Sequence, residues 1–135
     1  MIVVDTNLLV HLHVRGPRTA GAEQVLARDA VWTAPFLWRS EFRNVLVNSL
    51  RAGIIGLRDA VAGAALAERR MQGREYGVPS REVLELANES GCTAYDCEFV
   101  YLAQHLDTRL VTTDREVLAA FPDAAISPEE FLGGR

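Results

Sequence analysis

The chain has 135 residues, with 14 arginines against 18 carboxylates and a formal net charge of −4. That length suits one domain with one core, taken here as residues 1–135, and no apolar run reaches the roughly 18 residues that a membrane span needs. An acidic balance argues against broad electrostatic binding to nucleic acid, because polyanion binders usually present a basic surface.

The opening Met1-Ile2-Val3-Val4-Asp5 has no basic segment before it. It reads as the first strand of the mature fold rather than as a secretory leader, which leads to the expectation of a soluble, cytoplasmic protein. A helix is predicted from Thr6 to about His13, a break at Gly16 and Pro17, and a second helix near Arg18 to Ala27. Val31 to Ala34 is the next strand, and Pro35 is expected to open a long helix to Arg51, ended by Gly53. An amphipathic helix from about Leu57 to Met71 completes a helical hairpin. Glu75 to Val78 is a weak strand, Ser80 to Asn88 a helix closed near Gly91, and Thr93 starts another. Leu110 to Thr112 is the best late strand, with a short helix from Asp114 to Phe121, a last strand at Ala124 to Ile126, and a turn of helix at Pro128. Strands alternating with helices indicate an α/β fold, a short parallel sheet flanked by helices. Cys92 and Cys97 match no zinc or redox spacing and read as small buried residues.

Ligands in parallel α/β folds collect at the carboxyl ends of strands, where Asp5 and Asp114 fall, each directly after an apolar strand. Both positions also suit helix capping, and for the last helix Thr113 with Glu116 forms a T-x-x-E capping box. Thr93 to Asp96 fits another such box. At 100° per residue, however, Asp96 falls in the stripe of Phe99, Val100 and Ala103, where an ionised carboxylate needs a cation or a cap. Along residues 35–51 the core stripe reads Trp38, Phe42, Val45 and Ser49. Glu41 sits at its edge beside Asn44 and Asn48, either on the rim of a polar pocket or paired with Arg39 or Arg43. Four carboxylates meeting at one sheet edge would repel one another without divalent cations, and oxygen donors select magnesium or manganese over zinc. Such a cluster suits metal-assisted phosphodiester hydrolysis, which needs no nucleophilic side chain.

The segments MIVVDTNLLV, WRSEFRNVL, TAYDCEFVYLA and RLVTTDREVL resemble, in that order, the PIN-domain family and especially its VapC-type toxins. The resemblance spans essentially the whole chain. It implies a three-layer α/β/α fold and a magnesium- or manganese-dependent endoribonuclease acting as the toxin of a toxin-antitoxin pair. It places metal ligands at Asp5, Glu41, Asp96 and Asp114, with Asp5 and Asp96 the direct ones. Thr6, Asn7, Thr112 and Thr113 match positions that orient ligands or water. It further implies a homodimer, a small antitoxin that blocks the site, and an RNA target. The last motif departs from many relatives, with Arg115 and Glu116 where a second aspartate is common, and Glu98 projects away from Asp96.

Several rivals are weaker. Walker A loops, receiver domains and haloacid-dehalogenase-like phosphatases all expect a lysine, and the chain has none. Metal-free histidine chemistry would have to use His11, His13 and His105, and the first two face nearly opposite sides of a helix. A DNA-directed nuclease of related fold expects helical elements for which there is no room. A non-catalytic fold of the same type, binding RNA or protein, and a processing nuclease outside any toxin-antitoxin pair both stay open. Arg39, Arg43 and Arg51 could hold phosphates or an acidic partner, but a solvated surface is the favoured reading of these three. Leu57, Val61, Ala64 and Leu66 exceed what a small core can bury and mark a partner or dimer groove.

Overall fold

The computed structural model describes residues 1–133. Five short strands form one all-parallel sheet: β1 (Ile2–Val4), β2 (Trp32–Pro35), β3 (Glu75–Tyr76), β4 (Leu110–Val111) and β5 (Ala125–Ile126), in the spatial order β3-β2-β1-β4-β5. The three residues of β1 are all apolar and buried, the pattern of a strand covered on both faces. Eight helices connect and cover the strands: α1 (Thr6–His13), α2 (Thr19–Arg28), α3 (Trp38–Arg51), α4 (Leu57–Met71), α5 (Ser80–Ser90), α6 (Ala94–His105), α7 (Arg115–Ala120) and α8 (Pro128–Phe131). Helix α1 packs with α2, α3 and α4, whereas α6 packs with α5 and lies across β1, β2 and β4, giving three layers. None of the described helices is long and apolar enough to cross a membrane.

The strand order decides where a site can form. The chain runs outward from β1 through β2 to β3, then crosses back to place β4 on the other side of β1. Between β1 and β4 the winding reverses, and at such a reversal the connections diverge to leave a crevice beyond the carboxyl ends of the strands. Asp5 follows β1, and Thr112, Thr113 and Asp114 follow β4, so both segments emerge at this crevice.

Two expectations about α3 are corrected. Pro35 ends β2 instead of opening the helix, which starts at Trp38. Ala34 and Phe36 donate their N–H groups to the carbonyls of Arg74, just before β3, and Tyr76 on β3, while the β1 pairing runs only to Thr33. The missing N–H of Pro35 therefore lies where that ladder has ended. The buried stripe of α3 is Trp38, Phe42 and Leu46, spaced four apart, while Val45 and Ser49 are only half-buried.

Arg39 is bound by acids rather than left for phosphates. Its Nε and Nη2 donate to Glu75 at 2.5 and 2.9 Å, and Trp38 Nε1 donates to the same carboxylate at 2.8 Å. This clamp ties the start of α3 to the edge strand β3. The turn between α1 and α2 has its own tie in Thr19, which is buried. Its hydroxyl donates to the His11 carbonyl at 2.7 Å and accepts from Gly16 N–H at 3.0 Å. Cys92 and Cys97 are both buried and free. Leu57, Val61 and Leu66 on α4 stay exposed, as does Ile54 in the preceding turn, while Ala64 packs against the core.

Candidate active site

A cleft of about 440 Å3 opens at the carboxyl edge of the sheet, and Asp5, Glu41, Asp96 and Asp114 all line it. Each comes from a different part of the chain: Asp5 precedes α1, Glu41 lies in the first turn of α3, Asp96 in that of α6, and Asp114 precedes α7. All four therefore stand at helix starts, where the positive end of each helix dipole favours negative charge.

Helix capping and cleft lining turn out to be compatible. Asp5 Oδ1 accepts the Leu8 N–H at 2.9 Å, which caps α1, and Oδ2 accepts the Thr112 hydroxyl at 2.7 Å. Asp114, rather than Thr113, caps α7: its Oδ1 accepts the N–H groups of Glu116 and Val117 at 2.9 and 3.1 Å. The capping box expected from Thr113 and Glu116 is thus replaced by an aspartate cap. Thr93 does cap α6, its hydroxyl accepting the Asp96 N–H at 3.1 Å. Glu41 pairs with neither Arg39 nor Arg43 and instead accepts the Thr6 hydroxyl on Oε1 at 2.7 Å.

The threonines divide the work of holding these acids. Buried Thr6 holds Glu41, and buried Thr112 holds Asp5 while accepting the Asp114 N–H at 3.1 Å. Thr113 acts on Asp5 through its backbone and lines a neighbouring hollow instead of the cleft. Asn7 is exposed and lines both spaces. Asn44 lines the cleft and Asn48 does not, because Asn48 lies a further turn along α3.

The electrostatics record the crowding. Burial pushes Asp5 above the usual carboxylate range, with the charge of Asp114 adding to it, against the lowering effect of the Leu8, Thr112 and Thr113 hydrogen bonds. Burial likewise raises Glu41, opposed by Thr6 and reinforced by the charges of Asp96 and Asp5. Asp96 is raised by burial and by Asp114 and Glu116, with Thr93 opposing. The acids feel one another in a chain that has no lysine or arginine among the cleft's described lining residues.

Two residues outside the cleft wall are felt inside it. Glu98 does not line the cleft, yet it and Glu41 interact closely enough for Glu98 to be raised by burial and by the Glu41 charge. Glu116, in the position where the last motif departs from many relatives, bears on Asp96. Ser40 and Tyr95 line the cleft without having been singled out from the sequence; each adjoins a candidate acid, and that adjacency was the available signal.

The donor set suits a small hard cation. Among the described residues no three His, Cys, Asp or Glu side chains close into a protein-only metal cage. Magnesium does not require one, since it is usually held by one or two carboxylates and keeps waters and substrate oxygens in its remaining positions. All-oxygen donors and mutual repulsion at an open cleft fit that manner of binding.

The family model of the PIN domain matches residues 2–124. This chain belongs to the PIN-domain family. It is 28% identical over 132 residues to a protein from Pyrobaculum aerophilum called Ribonuclease VapC3, covering 94% of this chain and 98% of that one. In fold it is similar to the crystal structure of PAE2754 from Pyrobaculum aerophilum, with a TM-score of 0.78, 27% identity, and coverage of 98% of this chain and 93% of the other. The PIN-domain match takes in all four acids and every threonine that holds them.

Proposed function

We propose that this PIN-domain chain is a magnesium- or manganese-dependent endoribonuclease and the toxin of a toxin-antitoxin pair. The observation that carries the reading is the convergence of Asp5, Glu41, Asp96 and Asp114 on one cleft at the reversal of the sheet. Similarity to a protein named Ribonuclease VapC3 supports the RNA substrate and the toxin role.

Asp5 and Asp96 would hold the cation directly, with Glu41 and Asp114 completing the ring through their oxygens or through water. When bound, the ion would supply an activated water and charge neutralisation at the scissile phosphate. The chain's own residues set the geometry. Thr112 fixes the rotation of Asp5, and Thr6 takes up Glu41 Oε1, leaving Oε2 for water or cation. Asn7, exposed on the cleft wall, would help to orient ligands or water there. Water attacks phosphorus in line, the bond to the 3′-oxygen breaks, and that oxygen takes up a proton, so the products carry 5′-phosphate and 3′-hydroxyl ends.

A homodimer and a small blocking antitoxin belong to the same reading. The exposed Ile54, Leu57, Val61 and Leu66 around the α3–α4 hairpin support a partner surface. A free chain that stays monomeric and ignores its antitoxin would count against it. Two buried free thiols suit a reducing, cytoplasmic setting.

The deciding experiment is cleavage of total cellular RNA by purified protein with magnesium, manganese or EDTA, alongside Asp5→Asn and Asp96→Asn. Metal-dependent cuts with 5′-phosphate ends, lost in both variants, are expected. No cutting under any condition would replace the enzyme with a non-catalytic PIN fold that binds RNA or protein.

A further inference from the structure

A second hollow of about 360 Å3 adjoins the acid cleft and shares Asp5 and Asn7 with it. The two meet at the start of α1. Their charges differ. The described lining of the acid cleft includes no arginine or histidine, whereas the second hollow presents Arg18 and His11 against two carboxylates, the shared Asp5 and Glu129 from α8.

Three observations bear on what this hollow can hold. Arg18 is exposed, and among the described residues its guanidinium makes no hydrogen bond or ion pair. The turn carrying it is held by buried Thr19, whose hydroxyl joins the His11 carbonyl to the Gly16 N–H, so Arg18 and His11 are presented from a fixed corner. His11 is half-buried and held below the ordinary histidine value by burial and then by the Arg18 charge. Even the uncharged imidazole has one N–H to donate.

We propose that this hollow seats the phosphodiester next to the one cut, with Arg18 as its cation and His11 and Asn7 as its hydrogen-bond donors. The assignment rests on the ribonuclease reading. A single strand running through the acid cleft carries a further negative charge one nucleotide on, and Arg18 is the arginine that the adjoining wall offers it. An arginine also matches phosphate better than a lysine would, because its planar fork donates two parallel hydrogen bonds. Glu129 opposes the same anion.

The test compares an octameric oligoribonucleotide with a dinucleotide that has a single phosphodiester, on the full chain carrying Arg18→Ala, Arg18→Lys or Glu129→Gln. Binding is read by fluorescence anisotropy in an Asp96→Asn background, where cutting is silenced, and kcat and KM are read in the wild-type background. Arg18→Ala is expected to raise the Kd and KM of the octamer about tenfold, the effect of losing a charged hydrogen bond. The dependence of log affinity on log salt should become shallower by about 0.7, one phosphate contact on a single strand. The dinucleotide should be unaffected, Arg18→Lys should recover part of the loss, and Glu129→Gln should tighten the octamer.

Unchanged octamer binding and salt slope would overturn the proposal, as would an equal loss on the dinucleotide. So would equal competition by poly-glutamate, which would mean that the hollow reads acidity in a protein rather than phosphate. Arg18-dependent binding by a chain that cuts nothing with either metal would keep the subsite and reject the nuclease; metal-dependent cutting indifferent to Arg18 would do the reverse.

Discussion

A single hydroxyl couples two of the acids. Thr112, 3% exposed, donates to Asp5 and accepts from the backbone of Asp114, so one side chain sets both the rotation of the first acid and the path leading to the last. Thr112→Val keeps the shape and removes both bonds, which should cost about 1–3 kcal/mol in a urea melt. Cleavage should fall with it by about tenfold or more, and Thr112→Ser should restore most of both. A valine variant that melts and cuts normally would deny the hydroxyl its positioning role. The sequence marked Thr112 and Thr113 together and had no means to choose between them; successive residues after a strand face opposite ways, and only the observed register shows that Thr112 turns inward. The cap of α7 was illegible for a similar reason. Threonine and aspartate both cap helices, and the extended backbone of Asp114 directly before Arg115 makes it the cap. The four acids were legible because each combines a sheet-edge or stripe-edge position with a residue type that such a place tolerates only with a partner.

At the scale of elements, hydrophobic patterning together with Gly, Pro and capping signals carried the order of all thirteen among the described residues, and the bounds of α1 and α4 fall where those signals put them. Pro35 misled because proline at a helix start and proline at a strand end look alike locally; the pairing of Phe36 with Tyr76 on β3 separates them, and that contact is remote in sequence. Remote contacts also govern the two predictions at this scale. Gly63 in α4 sits so close to the end of α1 that an added Cβ would lie 3.0 Å from the His13 carbonyl oxygen and from Val14 Cγ2. Alanine normally stabilises a helix interior by about 0.5–1 kcal/mol relative to glycine. Here the contact is helix-end backbone, which yields little, so Gly63→Ala should instead destabilise by about 1–3 kcal/mol in chemical denaturation. A more stable variant would show that the two helices can part without cost. The clamp on β3 gives a pH-dependent prediction. The Arg39 hydrogen bond, with Trp38 assisting, holds Glu75 below the ordinary 4.5, and its side chain is only 7% exposed. Because the folded value is depressed, the stabilisation is present above the unfolded value and is lost as pH falls through the folded one. The stability gap between wild type and Glu75→Gln should therefore be full at neutral pH and close on acidification below 4.5. A gap that persists at low pH would mean that shape, not charge, holds the strand.

Across the whole molecule, a chain of net charge −4 gathers four carboxylates at one end of its sheet, and three of them are raised by burial and by one another. Such an arrangement works against the stability of the metal-free fold, as residues held for a function often do. The chain's net negative charge is in part concentrated in this one cleft. Fold stability should therefore report the cation independently of any RNA. In EDTA, Asp96→Asn should melt at least as high as wild type and by several degrees higher if repulsion dominates, since each kcal/mol is worth roughly 3–5 °C for a chain of this size. Magnesium at about a hundred times its dissociation constant should then stabilise wild type by about 2.7 kcal/mol, because it binds only the folded state. The asparagine variant should gain far less, so that the order of the two melting temperatures narrows or inverts when magnesium replaces EDTA. Equal shifts in both proteins would place the ion elsewhere, and no shift in either would remove the cation from the account of why these four acids share a cleft.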